Sequence, residues 1–225
     1  MGELFSKRLA GQILVYVFGL FLLSFGAALS ISSGLGLSPI NSLPFVISLI
    51  LGVNPGVIIT ITFVIYIAAQ FALLGKELPI INVTQIVFAF IFGFFLDASR
   101  FILGDFMLPT YAGQLVMLGM SIVVIACGLS LYMEARLVIL PPEGIVVAIA
   151  RKIPNGTFAR VKVPFDCALV IASLALALIF LGDFGAVREG TILSALLIGR
   201  AIPTARKVIS FILAKFNFYP SEAES

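Results

Sequence analysis

The feature that most constrains this chain is a repeat carried on apolar runs long enough to cross a bilayer. Phe25-Gly26 recurs as Cys127-Gly128, Pro39 as Pro141, Asn41 as Glu143 and Ser42 as Gly144, all at an offset of 102. Leu74-Gly75 recurs as Leu181-Gly182 and Thr84 as Thr191, at an offset of 107. Ala89 and Gly93 recur as Ala195 and Gly199, at an offset of 106. The second half therefore carries a few extra residues around Pro154-Asn155-Gly156. This divides the chain into a first membrane repeat at 1–108, a second at 109–216 and a short polar cytoplasmic tail at 217–225. Duplicated membrane halves commonly place a solute site where the halves meet.

Charged residues make up 11% of the chain and hydrophobic residues 61%. A soluble domain carries about 25% charged residues, so this surface must face lipid. The net charge of +3 comes from basic residues in short loops between apolar runs. It therefore bears on membrane orientation and does not point to nucleic acid. The first apolar run continues to about Ile31 with no small-residue cleavage site, so it reads as a span. There is no histidine, which removes His-dependent catalysis, His metal ligands and a His proton relay. Cys127 and Cys167 lie in apolar stretches and read as buried thiols. No nucleophile–base pair, P-loop or carboxylate cluster is present. The chain reads as a non-enzyme without metal or cofactor.

The fold expected is all-α: a polytopic membrane helical bundle in two repeated halves, each of helix, short broken helix, helix, helix. Long helices are expected at about Leu9–Ser32, Gly56–Leu74, Asn82–Phe101, Gln114–Met133, Ala159–Leu181 and Glu189–Leu213. Each approaches the roughly 20 residues that a span needs. Short helices are expected from Pro39 to Gly52 and from Pro142 to Lys152. At 1.5 Å per residue a dozen residues cover roughly 18 Å, less than a ~30 Å hydrocarbon core. The uncharged Gly/Ser/Pro segment before each could supply the remaining depth. Non-helical backbone at that depth is tolerated only inside protein or beside a polar cavity.

Two topologies follow. If the short helices complete a crossing, the halves are parallel, with four passes each. Lys and Arg then divide 11 inside to 3 outside. If the short helices re-enter, the halves are inverted, with three passes each, and the division is 12 to 2. Both satisfy the positive-inside rule and both put the termini in the cytoplasm. The four-plus-four arrangement is the one favoured slightly. Helices four and eight are expected to pack closely through Ala89/Gly93 and Ala195/Gly199, since small residues four apart allow close approach.

Gly-Leu-Gly-Leu-Ser-Pro at 34–39, Pro-Glu-Gly at 142–144 and Glu-Gly-Thr-Ile-Leu-Ser-Ala-Leu-Leu-Ile-Gly at 189–199 together resemble the YitT/YczE family of bacterial integral membrane proteins. In YczE-like relatives the second-half loop commonly reads Gly-Pro-Arg-Asp-Gly. Glu143 stands where that acid would be and the Arg is missing. A basic-then-acidic opening of the next helix is matched by Arg160, Lys162 and Asp166, whereas Arg200 stands where a Pro commonly follows the late Gly. The resemblance implies a multi-pass protein of the bacterial cytoplasmic (inner) membrane and supplies no substrate.

Glu143 is the most suggestive acid. It opens a short apolar helix in the repeat position of Asn41. At the interface it would only cap that helix; at depth it would be a ligand, because intramembrane acids are costly and usually face a cavity. Asp166 lies four residues after Lys162, on the same helix face. The pair reads either as a local surface pair or as a gate with Arg160 or Lys162 as its partner. The candidate substrate-binding residues are Asn41, Ser42, Glu143, Asp166 and Arg160. Gln70, Gln85 and Thr191 are further polar candidates, or glue between helices.

The partners expected are the lipid bilayer and a small polar solute, zwitterionic or amine-bearing. The function expected is a secondary transporter or facilitator with its site between the repeats. The alternative is a membrane accessory or regulatory protein that transports nothing. A carrier needs a cavity reaching Asn41 and Glu143; an accessory protein can keep that centre dry. No motif specifies substrate, driving ion or oligomeric state.

Overall fold

The computed structural model describes residues 2–77, 84–184 and 187–215, with side chains from Leu9 onward and not at Lys76. The expected tail at 217–225 and the expected helix start at Asn82 lie outside these residues. The described residues form an all-helical bundle: α1 (Gly2–Ser32), α2 (Pro39–Leu51), α3 (Pro55–Leu74), α4 (Gln85–Leu103), α5 (Tyr111–Glu134), α6 (Pro141–Lys152), α7 (Phe158–Leu176) and α8 (Glu189–Lys215). A π-helical turn at Ala177–Leu181 extends α7. Local chemistry sets the ends. Asn54, Thr110 and Thr157 cap α3, α5 and α7 through their side chains, satisfying N–H groups the helix leaves free. Prolines open α2, α3 and α6, where a missing N–H costs nothing.

Among the described residues, five helices are long and apolar enough to cross a membrane: Leu9–Ser32, α3, α4, α5 and α7 with its extension. The sixth long helix, α8, has 27 residues and carries Arg200, Arg206 and Lys207 along its second half. Helices α1 and α5 form the centre. Their apolar spans are 56% buried, against 6% for α4, whose side chains such as Phe90, Phe94 and Phe101 face outward as lipid requires.

The central pair is antiparallel. A Cβ built on Gly19 would meet Tyr132, one on Gly26 would lie 2.8 Å from the Ile125 nitrogen, and one on Gly128 would collide with Leu23. Positions rising along α1 therefore meet positions falling along α5. By contrast, the Tyr16 ring meets Phe88 and the Phe21 ring meets Phe95, each edge to face, so α4 runs parallel to α1. Ser130 reaches the carbonyl of Ile202 at 3.5 Å and Glu134 pairs with Arg206 at 3.1 Å, so α8 runs parallel to α5.

This directionality corrects the four-plus-four topology, which requires α1 and α5 to run the same way. With the two opposed, α1 ends and α5 begins at the same end of the bundle. The segment between them can then cross only an even number of times. Helices α3 and α4 supply two crossings, and α2, with 13 residues, enters and leaves by one face. The same holds for α6, with 12 residues. Packing fits this. Gln70 of α3 donates to the carbonyl of Pro141 at 3.3 Å, and near the end of α3 Leu74 packs on Ala148. The start of α6 is thus held at depth and its end returns to the surface, where Lys152 pairs with Glu77 at 3.6 Å.

Two pairs of positions 102 residues apart share backbone conformations. Ser38 and Leu140 precede the short helices at φ −62, ψ 147 and φ −63, ψ 151. Gly34 and Arg136, 102 residues apart, both take positive φ, at 69° and 54°. Only the first has the glycine that such a turn favours. Helix α2 packs on α7 as α3 packs on α6, and α1 on α4 as α5 on α8.

The small-residue expectation for α4 and α8 is not met. A Cβ on Gly93 would meet nothing within 4 Å, while one on Gly199 would meet Val163 of α7 at 2.6 Å. Close approach occurs instead between α1 and α5, at Gly19, Gly26 and Gly128.

The inverted arrangement places Asp105, between α4 and α5, and Arg151, at the end of α6, at opposite ends of the bundle. In a background with Cys127 and Cys167 replaced by alanine, Asp105→Cys and Arg151→Cys are expected to differ. In intact cells an impermeant maleimide should label one and reach the other only after permeabilisation. Identical labelling of both refutes inversion.

Candidate functional site

The two short helices aim their starts at one cavity. Ser38, Ile40 and Asn41 of the first and Leu140, Pro142 and Glu143 of the second line it together. So do Lys162 of α7, Leu23 and Ala27 of α1, Ile125 and Leu129 of α5, Phe63, Ala89, Phe92 and Ile198. Its volume is about 80 Å³, room for roughly half a dozen waters or a solute of similar bulk. An apolar wall with a few convergent polar groups is the usual make-up of a ligand site.

Helix starts carry partial positive charge and unpaired N–H groups. The two starts differ. The first turn of α2 has no acid, so its positive end is uncompensated. The first turn of α6 holds Glu143. The cavity therefore meets free N–H groups at the start of α2, and Glu143 with Lys162 of α7 beside the start of α6.

Glu143 is 4% exposed, Lys162 2% and Asp166 0%. Lys162 Nζ donates to Asp166 Oδ1 at 2.6 Å. That burial excludes the surface pair which the i, i+4 spacing also allowed. Glu143 lies within Coulombic reach of both Lys162 and Asp166. Glu143 Oε2 and Asp166 Oδ2 make no hydrogen bond, and the buried hydroxyls of Tyr66 and Tyr132 interact electrostatically with Glu143. Two acids face one lysine. Buried charges are costly unless paired or neutralised, so the lysine can match only one of the two acids at a time.

The start of α6 is held from α1 and from α3. Tyr16 donates to the Val138 carbonyl at 2.6 Å. Gln70 and Gln85 exchange hydrogen bonds at 3.1 and 3.0 Å, and Gln70 also holds Pro141. Gly144 lets the Gln70 amide lie where a Cβ would be, 2.6 Å from its Oε1.

Of the candidate residues, Asn41 and Glu143 meet in the cavity. Ser42 is buried beside it but turns its hydroxyl back to the Pro39 carbonyl at 2.8 Å. Asp166 stands behind Lys162, outside the lining. Arg160 is elsewhere: it is exposed near the start of α7 and donates to the Asn155 carbonyl at 3.2 Å. Its proposed partnership with Asp166 belongs to Lys162, because position 160 falls on the outward side of α7's first turn. Lys162 and Ser38 are the polar lining residues that the candidate set lacked. The lysine was visible as Asp166's i, i+4 neighbour, and Ser38 as part of the Gly-Leu-Gly-Leu-Ser-Pro stretch at 34–39.

Compared with known families, residues 10–207 match DUF6198, a family of unknown function. The chain is 30% identical over 190 residues to the uncharacterized protein YyaS of Bacillus subtilis (strain 168), covering 84% of this chain and 89% of that one. No solved structure matches. The YitT/YczE likeness stays a resemblance. By a match that runs from the first helix to the last, the chain belongs to the DUF6198 family.

Proposed function

We infer that the protein is a secondary transporter or facilitator of the bacterial cytoplasmic membrane. It moves a small amine-bearing or zwitterionic solute through the space between its two halves and performs no covalent chemistry on it. The observation that supports this most is the cavity at the facing starts of α2 and α6, with Glu143, one of whose carboxylate oxygens makes no hydrogen bond, on its wall. Half-helix starts meeting near the middle of a bundle are how carriers and channels present polar groups at depth. A solute ammonium would answer Glu143. A solute carboxylate would suit the start of α2, with Ser38 and Asn41 beside it. An accessory protein would have no use for a cavity of this polarity.

The end that gathers Arg151, Lys152, Arg160, Arg206, Lys207 and Lys215 is taken as cytoplasmic. Both the start of α1 and the end of α8 lie at that end.

The test is thermal stability of the purified protein with methylammonium, glycine or acetate. A ligand bound only by the folded state raises apparent stability, by about 2.7 kcal/mol at a hundred times its Kd. Methylammonium and glycine are expected to raise Tm, acetate is not, and the two that bind should enter proteoliposomes. A flat response to both, with no uptake, moves the accessory reading ahead.

A further inference from the structure

Asp166 and Glu143 are two buried acids with one lysine between them. Asp166 has no exposure and does not reach the cavity wall, whereas Lys162 stands on that wall with Glu143 while holding Asp166 behind it. The acids sit on different elements: Glu143 on the re-entrant α6, Asp166 and Lys162 on α7. Each acid has one oxygen without a hydrogen bond. A lysine carries a compact point charge on a flexible four-carbon stem, so one ammonium can serve either carboxylate by turning its side chain. Neither acid is stable at this depth when charged and unpaired.

We propose that Lys162 is a built-in counter-cation shared by Asp166 and Glu143, holding Asp166 while the site is ready to load and turning to Glu143 after the solute has left. The proposal rests on the cavity being the solute site and adds how that site is reset. In the loading arrangement Glu143 is open to a solute ammonium. After release the tethered ammonium takes the solute's place, and the empty protein returns without a coupling ion. Solute and lysine thus compete for Glu143.

The stability cycle of Asp166→Asn, Glu143→Gln and the double variant tests the sharing without reference to transport. In a shared arrangement Lys162 falls back on the remaining acid, so each single change lowers Tm by only a few degrees. The double change strands a buried ammonium, and losing a buried ion partner lowers Tm by about 10 °C or more in a chain this size. The cycle is then strongly non-additive. If Asp166→Asn alone melts or misfolds as badly as the double variant, the pair is static and the proposal fails. Equally small shifts in all three variants also overturn it. Ligand response separates the two readings. Methylammonium should stabilise the wild-type protein and not Asp166→Asn, where Lys162 covers Glu143. Undiminished stabilisation of Asp166→Asn removes the competition and overturns the proposal. A wild-type protein indifferent to methylammonium, but with the non-additive cycle intact, counts against the solute class and leaves the shared lysine standing.

Discussion

Gly128→Leu is expected to prevent the bundle from assembling. The reason is geometric. At Gly128 the α5 backbone lies against the α1 backbone, and a Cβ there would lie 2.8 Å from the Leu23 Cα and 2.9 Å from the Gly19 carbonyl oxygen. Neither is the end of a flexible side chain, so nothing can turn aside. The two helices must separate, and they form the most buried part of the molecule. Inserting bulk into a packed core usually costs about 1–3 kcal/mol; prising apart two backbones that α4 and α8 are packed upon exceeds that range. Gly93→Leu is the control, because a Cβ there meets nothing within 4 Å. The measurement is monodispersity and Tm in detergent. Gly128→Leu should aggregate or lose at least about 10 °C, and Gly93→Leu should behave like wild type. Equal behaviour of the two refutes the close crossing of α1 and α5.

That contrast also shows what was legible in the sequence. Gly26 and Gly128 were recognisable as repeat counterparts, yet the close-packing expectation fell on Gly93 and Gly199, which have the same small-residue spacing. Spacing on one helix reports that approach is possible and does not say to which neighbour. The helices themselves were legible because a run of about 20 apolar residues has few alternatives. Direction was not. Re-entry and crossing leave nearly the same distribution of Lys and Arg, and it is the succession of contacts between helices, Gly19 at Tyr132, Gly26 at Ile125 and Gly128 at Leu23, that fixes how α1 and α5 run. Glu143 and Asn41 were legible as a pair because both follow a repeated proline by two residues. The burial of Lys162 was not, since a lysine one turn into α7, two residues before Pro164, has the signature of an interfacial residue.

Glu143→Gln is expected to weaken solute binding strongly while leaving the protein folded in the membrane. Glutamine keeps the shape of the side chain and removes its charge. The α6 start does not depend on that charge, because Tyr16, Gln70 and the flanking prolines hold it. What is lost is the acceptor for a solute ammonium. A charge-assisted hydrogen bond contributes about 1.5–3 kcal/mol, so affinity for methylammonium or glycine should fall by roughly 10- to 100-fold, with uptake into proteoliposomes falling in parallel. Asn41→Ala should weaken glycine more than methylammonium, because Asn41 stands at the α2 start, where a solute carboxylate would lie, and methylammonium has none. This difference between two probes separates binding from general damage, which would weaken both alike. If Glu143→Gln binds and moves both solutes normally but melts several degrees earlier, Glu143 serves only to offset the positive end of α6. The cavity would then have no group demanding a cation, and the case for an amine-bearing solute would go with it.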